Sequence, residues 1–275
     1  DATLGLDDMV WDLRSLVEAL ELGPHHIGGH SMGGGITMKY ALAHSDELRS
    51  MALVDTMSPY GYSGSLDVEG TPCHVDGAPA GAGSVNPDFV KLMLADYRGT
   101  EEPMAPRNVL RQFYVKPPFI PEREEDLLSG MLSLRIGEDW YPGDAISSPH
   151  WPGAAPGERG VVNAFSRKYF DASGLVDTDP KPPILWIRGA EDLIVSNNAM
   201  WDIAALGAMG FVPGWPGPDD CPPQPMLDQI RAFLERYRAK GGSFEEVVID
   251  DAGHCPYLEK PDEFNAALHS LLAGA

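Results

Sequence analysis

The run Gly28-Gly29-His30-Ser31-Met32-Gly33-Gly34-Gly35 limits the fold more than any other stretch of this chain. One serine stands among the glycines, just before the helix-like run Ile36–His44. A flexible linker would account for the glycines but not for the order Gly29-His30-Ser31-Met32-Gly33, which is G-x-S-x-G. In that pattern a strand turns sharply into a helix, and the serine at the apex takes a strained backbone conformation that points its Oγ outward. The residues two before and two after the serine are expected to lack side chains, so that strand and helix can approach closely. A phosphate-cradling reading fails: G-x-x-x-x-G-K-[ST] is absent and no G-x-G-x-x-G spans the turn. A plain helix N-cap after a glycine turn is the competing account of Ser31.

The flanking segments read as a strand and a helix. From Leu6 to Leu22, Met9, Val10, Leu13, Leu16, Val17 and Leu20 recur at helical spacing, with Asp7 and Asp8 at the start and Gly23-Pro24 as a stop. A short strand ending at His30 follows, then the turn, then a helix to about Ala43. Met51–Val54 reads as a buried parallel strand. Residues 57–181 change in character, being rich in Gly, Pro and aromatics, with helical patches near Asp88–Tyr97, Arg107–Tyr114 and Glu122–Leu134. Such a stretch is expected to be an inserted, mainly helical cap. Alternation resumes with a strand at Pro183–Arg188, helices around Asn198–Leu206 and Pro225–Ala239, a strand at Phe244–Ile249 and a closing helix at Pro261–Leu272. The expected fold class is α/β, a parallel doubly wound sheet with core segments 1–56 and 182–275 around a cap of 57–181.

Composition narrows the partners. At 275 residues, with 43% hydrophobic and 22% charged residues, the chain has the make-up of a soluble globular protein. No run approaches the roughly 18 apolar residues of a membrane span, and no signal peptide opens the chain; a cytoplasmic location is the expectation. A formal charge of −21 argues against nucleic acid and anionic membranes, and would repel a strongly anionic substrate. Cys73, Cys221 and Cys255 lack C-x-x-C spacing, so they read as small half-buried thiols rather than a zinc site or disulfide framework.

An activated serine needs a base, and the base an orienter. ILWIRGAEDLIVS puts Asp192 just after a strand, and IDDAGHCPYLEKP puts His254 after the last one. Both loops should open on the same sheet edge as the serine turn. Gly29–Gly34, Arg188-Gly189-Ala190-Glu191-Asp192 and Ala252-Gly253-His254, in that order, resemble the three motifs of the α/β-hydrolase superfamily, over about residues 6–56 and 182–275. The resemblance implies an α/β-hydrolase fold of the serine-nucleophile, esterase- or lipase-like branch, with Ser31 as nucleophile, His254 as general base and acid, and Asp192 as orienter. It also implies the Met32 backbone N–H as an oxyanion donor, hydrolysis of an ester or related acyl bond of a largely apolar small molecule, and no metal or organic cofactor. Carbon–carbon bond hydrolysis, cofactor-free perhydrolysis and noncatalytic ligand binding on the same fold are the alternatives.

Rivals for these roles are few. Asp55, at another strand end, is the fallback acid. Glu191 reads as a solvated charge and Asp250 and Asp251 as caps of their turn, while Cys255 reads as filler. His25, His26 and His30 cluster without metal spacing, as packing or exposed residues. His30, Trp140 and Trp151 are the candidate substrate contacts, and His150 could line the cap pocket. The chain departs from the family pattern at its start: it begins at the helix leading into the turn, so the usual N-terminal strands, and the His-Gly loop bearing the second oxyanion donor, are expected to lie outside it. Completion of the sheet edge by another chain, giving an oligomer, is one way to meet that expectation.

Overall fold

The computed structural model describes residues 6–274. Helix α1 (Asp7–Ala19) leads to β1 (His25–His30), α2 (Met32–His44) and β2 (Leu48–Val54). The long connection that follows carries α3 (Pro87–Leu94), a helical stretch over Pro106–Tyr114 whose second half has i→i+5 bonding, and α4 (Glu124–Leu132). Two short ribbons, Ile136–Gly137 with Tyr141–Pro142 and Ala145–Ser147 with Ala154–Pro156, also belong to it, amid much irregular chain. The chain then returns to the sheet through β3 (Ile184–Gly189), α5 (Ile203–Ala208), α6 (Met226–Ala239), β4 (Phe244–Ile249) and α7 (Pro261–Gly274).

The four long strands form one parallel sheet in the order β1-β2-β3-β4. Alternate residues of each strand point to opposite faces. Met51, Leu53, Ile184 and Trp186 join Met38 and Tyr40 of α2, and Phe233, Leu234 and Tyr237 of α6, in the large core, against which Met9, Val10 and Leu13 of α1 also pack. Leu185, Ile187 and Ile249 face the other way, onto Phe264, Ala267 and Leu271 of α7. Helices therefore cover both faces, as a doubly wound sheet requires. No helix among the described residues is long and apolar enough to cross a membrane.

Most elements lie where the sequence puts them, with one instructive shift. The helix expected around Asn198–Leu206 starts only at Ile203, because the Asp202 carboxylate caps it by accepting from the Ala204 N–H at 3.2 Å. Upstream, Asn197 is drawn to a different helix: its Oδ1 accepts from the N–H groups of Leu227 and Asp228 at the start of α6. Asp202 also ties the connection to the core, through Ser63 Oγ at 2.8 Å and the Gln224 N–H at 2.8 Å. Gln224 passes the chain of bonds to Gln229, which accepts from Ser58 Oγ at 2.6 Å.

The turn between β1 and α2 has the expected strain, with Ser31 at φ 57° and ψ −120°. Its steric basis is partly different from the expectation. A Cβ on Gly29 would overlap the Gly33 carbonyl, so position 29 must be glycine. At Gly33 a Cβ would meet nothing within 4 Å; the tight site is instead Gly34, where it would strike the Thr56 side chain. Gly29→Ala should lower the free energy of unfolding by at least about 2 kcal/mol through overpacking. Gly33→Ala, inside the first turn of α2, should be neutral or stabilising by up to ~1 kcal/mol. Denaturant midpoints of the two variants check this; equal losses in both would refute the steric account.

Candidate active site

The site is built where the parallel strands end. Ser31 N–H donates to the Val54 carbonyl at 2.9 Å, Asp55 N–H to Ile187 at 2.8 Å and Ala190 N–H to Ile249 at 2.9 Å, so the first residues beyond three strands are pinned to their neighbours. Ser31, Asp55, Asp192 and His254 accordingly all lie past the same edge of the sheet. The Met32 N–H, first in α2, has no acceptor within its own helix and sits at the positive end of the helix dipole.

His254 and Asp192 meet directly. The His254 Nδ1–H donates to Asp192 Oδ2 at 2.8 Å, and both side chains are almost fully buried. Asp192 Oδ1 accepts two more bonds, from the N–H groups of Ile194 at 2.7 Å and Val195 at 3.0 Å. Burial opposes ionisation of Asp192, but His254 and the two backbone donors outweigh it and hold the carboxyl below its ordinary range. Among the described residues the His254 ring makes no other hydrogen bond, and Ser31 Oγ makes none.

His30 joins the serine turn to the histidine loop. Its Nε2 lies 2.7 Å from the His254 carbonyl, which can only accept, so the proton is on Nε2. The two imidazole rings are 4.5 Å apart between centroids, and Tyr257 stands edge-on to His30 at 5.2 Å. Burial, then the neighbouring His254, push His30 down to about 4, so it is neutral at physiological pH.

Asp55 stands beside this pair. One oxygen each of Asp55 and Asp192 and a ring nitrogen of His254 lie within 4.8 Å of one another. The hydrogen bond to His254 comes from Asp192 and not from Asp55. This trio is also the one group of metal-ligating side chains so close together among the described residues, and the Nδ1–Oδ2 hydrogen bond already uses two of its donor atoms.

The connection between β2 and β3 reaches over the site. The Tyr114 ring lies 5.9 Å from His254 and 5.5 Å from Trp201. Lys116 Nζ bridges Glu191 at 2.6 Å and Asp251 at 2.5 Å, so these acids are paired rather than simply solvated. Glu259 accepts from the Lys116 N–H at 2.7 Å and the Gly253 N–H at 2.8 Å, clamping the connection to the His254 loop. A cavity of about 490 Å³ opens beside Asp192, lined by Gln112, Phe113, Lys116, Leu193 and Asn197 among others.

Other candidates lie elsewhere. Trp140 stacks under the Arg135 guanidinium at 3.9 Å, and Trp151 donates its Nε1–H to the Pro213 carbonyl at 2.9 Å; neither lines the cavity. His150 stacks on His74 at 3.7 Å. The Cys255 thiol is buried and pushed up to about 12, which leaves it inert beside the histidine. No local sequence signal marks Trp201 or Tyr257; only their proximity in the fold brings them here, Tyr257 because the short helix Pro256–Glu259 turns its ring back over His30.

Several solved proteins share this architecture. The thermophilic esterase of Thermogutta terrifontis, solved with malate bound, aligns with a TM-score of 0.52 and 19% identity over 99% of this chain and 74% of that one. A putative aryl esterase from Burkholderia cenocepacia gives 0.52 and 15% over 98% and 71%. The bromoperoxidase of Bacillus anthracis gives 0.51 and 16% over 98% and 75%. These likenesses concern the fold alone. No curated protein matches the chain. The model of the alpha/beta hydrolase family matches residues 1–267, and the chain therefore belongs to that family.

Proposed function

We propose that this hydrolase cleaves an ester or related acyl bond of a largely apolar small molecule through a Ser31–His254–Asp192 triad. The observation that carries the reading is the buried His254–Asp192 hydrogen bond, on the sheet edge where the strained Ser31 turn also ends. Asp192 fixes the imidazole with its proton on Nδ1, leaving Nε2 free to take the serine proton. Ser31 Oγ then attacks the carbonyl carbon, and the Met32 N–H donates to the oxyanion that forms. His254 returns the proton to the leaving group. It then activates the water that releases the acyl group from Ser31.

Substrate choice follows from what surrounds the site. Phe113, Tyr114 and Trp201 give the nearby wall an aromatic character, and the formal charge of −21 disfavours anions. Neutral or weakly polar esters fit best. The esterase neighbours are consistent with that class.

A fluorophosphonate probe should add one mass adduct to the wild type and none to Ser31→Ala or His254→Ala, with circular dichroism confirming that both variants fold. Labelling of Ser31→Ala to the same extent would sink the nucleophile assignment. Asp192→Asn should lower kcat on nitrophenyl esters by a factor on the order of 10⁴, since the amide no longer selects the required tautomer.

His30 generates a pH prediction independent of activity. Its folded pKa of about 4 lies below its ordinary 6.5, so between those values the unfolded chain binds a proton that the folded one refuses. This contribution to stability is complete above about pH 6.5 and is lost as pH falls towards about 4. His30→Gln should flatten the fall of Tm across that window. A Tm profile parallel to wild type would show that His30 titrates normally.

A further inference from the structure

Asp55 occupies a position that the proposed mechanism does not use. It follows β2 directly and adopts φ 39°, a left-handed conformation that is uncommon outside glycine. Its N–H is pinned to Ile187, and its Oδ1 accepts from the Gly189 N–H at 2.9 Å. The side chain is 1% exposed, and Oδ2 has no hydrogen-bond partner among the described residues. The backbone on both sides thus holds a carboxyl group with one unpaired oxygen deep in the protein, and one of its oxygens lies within 4.8 Å of Asp192 and His254.

Two ionised carboxylates cannot both rest there at neutral pH. The groups facing Asp55 are Asp192, Arg188, His254, Cys255 and Tyr257. Arg188, the only fixed cation, is already bonded to Glu246 at 2.9 Å, and His254 is neutral when it acts as a base. Like charges this close in a dry setting repel strongly, and a shared proton relieves the repulsion. The donors decide which oxygen keeps it. Asp192 accepts three N–H bonds, from His254, Ile194 and Val195, each of which favours the carboxylate. Asp55 accepts one. Burial first, and the Asp192 charge second, push Asp55 well above the ordinary carboxyl range.

We propose that Asp55 is a neutral carboxylic acid whose Oδ2–H donates to Asp192, making it a positioning residue that holds the orienting carboxylate against His254. The pair then carries a single negative charge, matched to the single positive charge that His254 gains when it takes a proton. Asp192 still has lone pairs for this bond, since each carboxylate oxygen accepts two. In this arrangement Asp55 acts on His254 only through Asp192. The kinetic part of the proposal rests on the triad reading; the protonation state does not.

Infrared difference spectra therefore test it without any turnover. Wild type minus Asp55→Asn at neutral pH should show the loss of one C=O stretch of a protonated carboxyl, and wild type minus Asp55→Ala the same loss. Other buried acids cancel in the difference. A difference containing only ionised carboxylate bands would overturn the proposal. Absence of any protonated-carboxyl band from wild type at neutral pH would refute the assignment even if both variants fold poorly. Where probe labelling of wild type establishes the triad, Asp55→Ala should react about tenfold more slowly than Asp55→Asn, because the amide restores a donor to Asp192. Equal rates in the two variants would remove the positioning role while leaving the triad reading intact.

Discussion

Three backbone hydrogen bonds at the ends of the parallel strands, from Ser31 to Val54, Asp55 to Ile187 and Ala190 to Ile249, set the geometry on which the rest depends. Each takes the first residue beyond one strand and fixes it to the next strand across. The loops bearing the serine, the two acids and the histidine thereby start from a common line and share one frame. The strand register underneath places His30, Val54, Ile187 and Val247 in one row. A slip of one residue in any pair would turn the core-facing side chains outward as well as shifting a loop, so the same hydrophobic pattern that builds the core also places the site.

That placement commits an acidic protein to burying carboxylates, which is costly unless each is neutralised or richly hydrogen-bonded. The three buried aspartates among the described residues meet this in different ways. Asp192 has three N–H donors, His254 among them. Asp202 is deeper still but serves as a helix cap and as the anchor for Ser63 and Gln224. Asp55 has one donor and the worst surroundings, beside another acid. Burial opposes ionisation in all three, and Asp202 is pushed up despite three donors; the charge and hydrogen bond of His254 are what hold Asp192 low.

The long connection could swing free of the sheet if it were tied only at its ends. Instead it is fastened on two sides. The chain of polar bonds through Ser58, Gln229, Gln224 and Asp202 locks its beginning against α6. Lys116 and Glu259 lock its middle to the acid and histidine loops. The second fastening is partly exposed and therefore weak in isolation. Its two main-chain bonds to Glu259 give it directionality, and they hold the segment that carries Tyr114 against His254.

How much of this could be read from the sequence depended on whether a feature is local. The Gly29-to-Gly33 pattern, the helical stripe of α6 and the apolar run of β2 each carry their signal within a few residues, and these elements fall close to their expected bounds. The order of Ser31, Asp192 and His254 along a parallel α/β chain was enough to expect a common edge. What it could not supply was any contact made across long separations. His30 reads as a packing residue until its Nε2 is seen against the His254 carbonyl, 224 residues away. Trp140 and Trp151 looked like pocket residues because aromatics in a Gly- and Pro-rich stretch suggest a lining, yet Arg135 and Pro213 claim them. Gly33 is the clearest case. The motif marks it as obligatory, but the space around it is open and the crowded position is its neighbour Gly34, against Thr56. A motif records which residues a turn has used; only the packed neighbours decide which of them it needs.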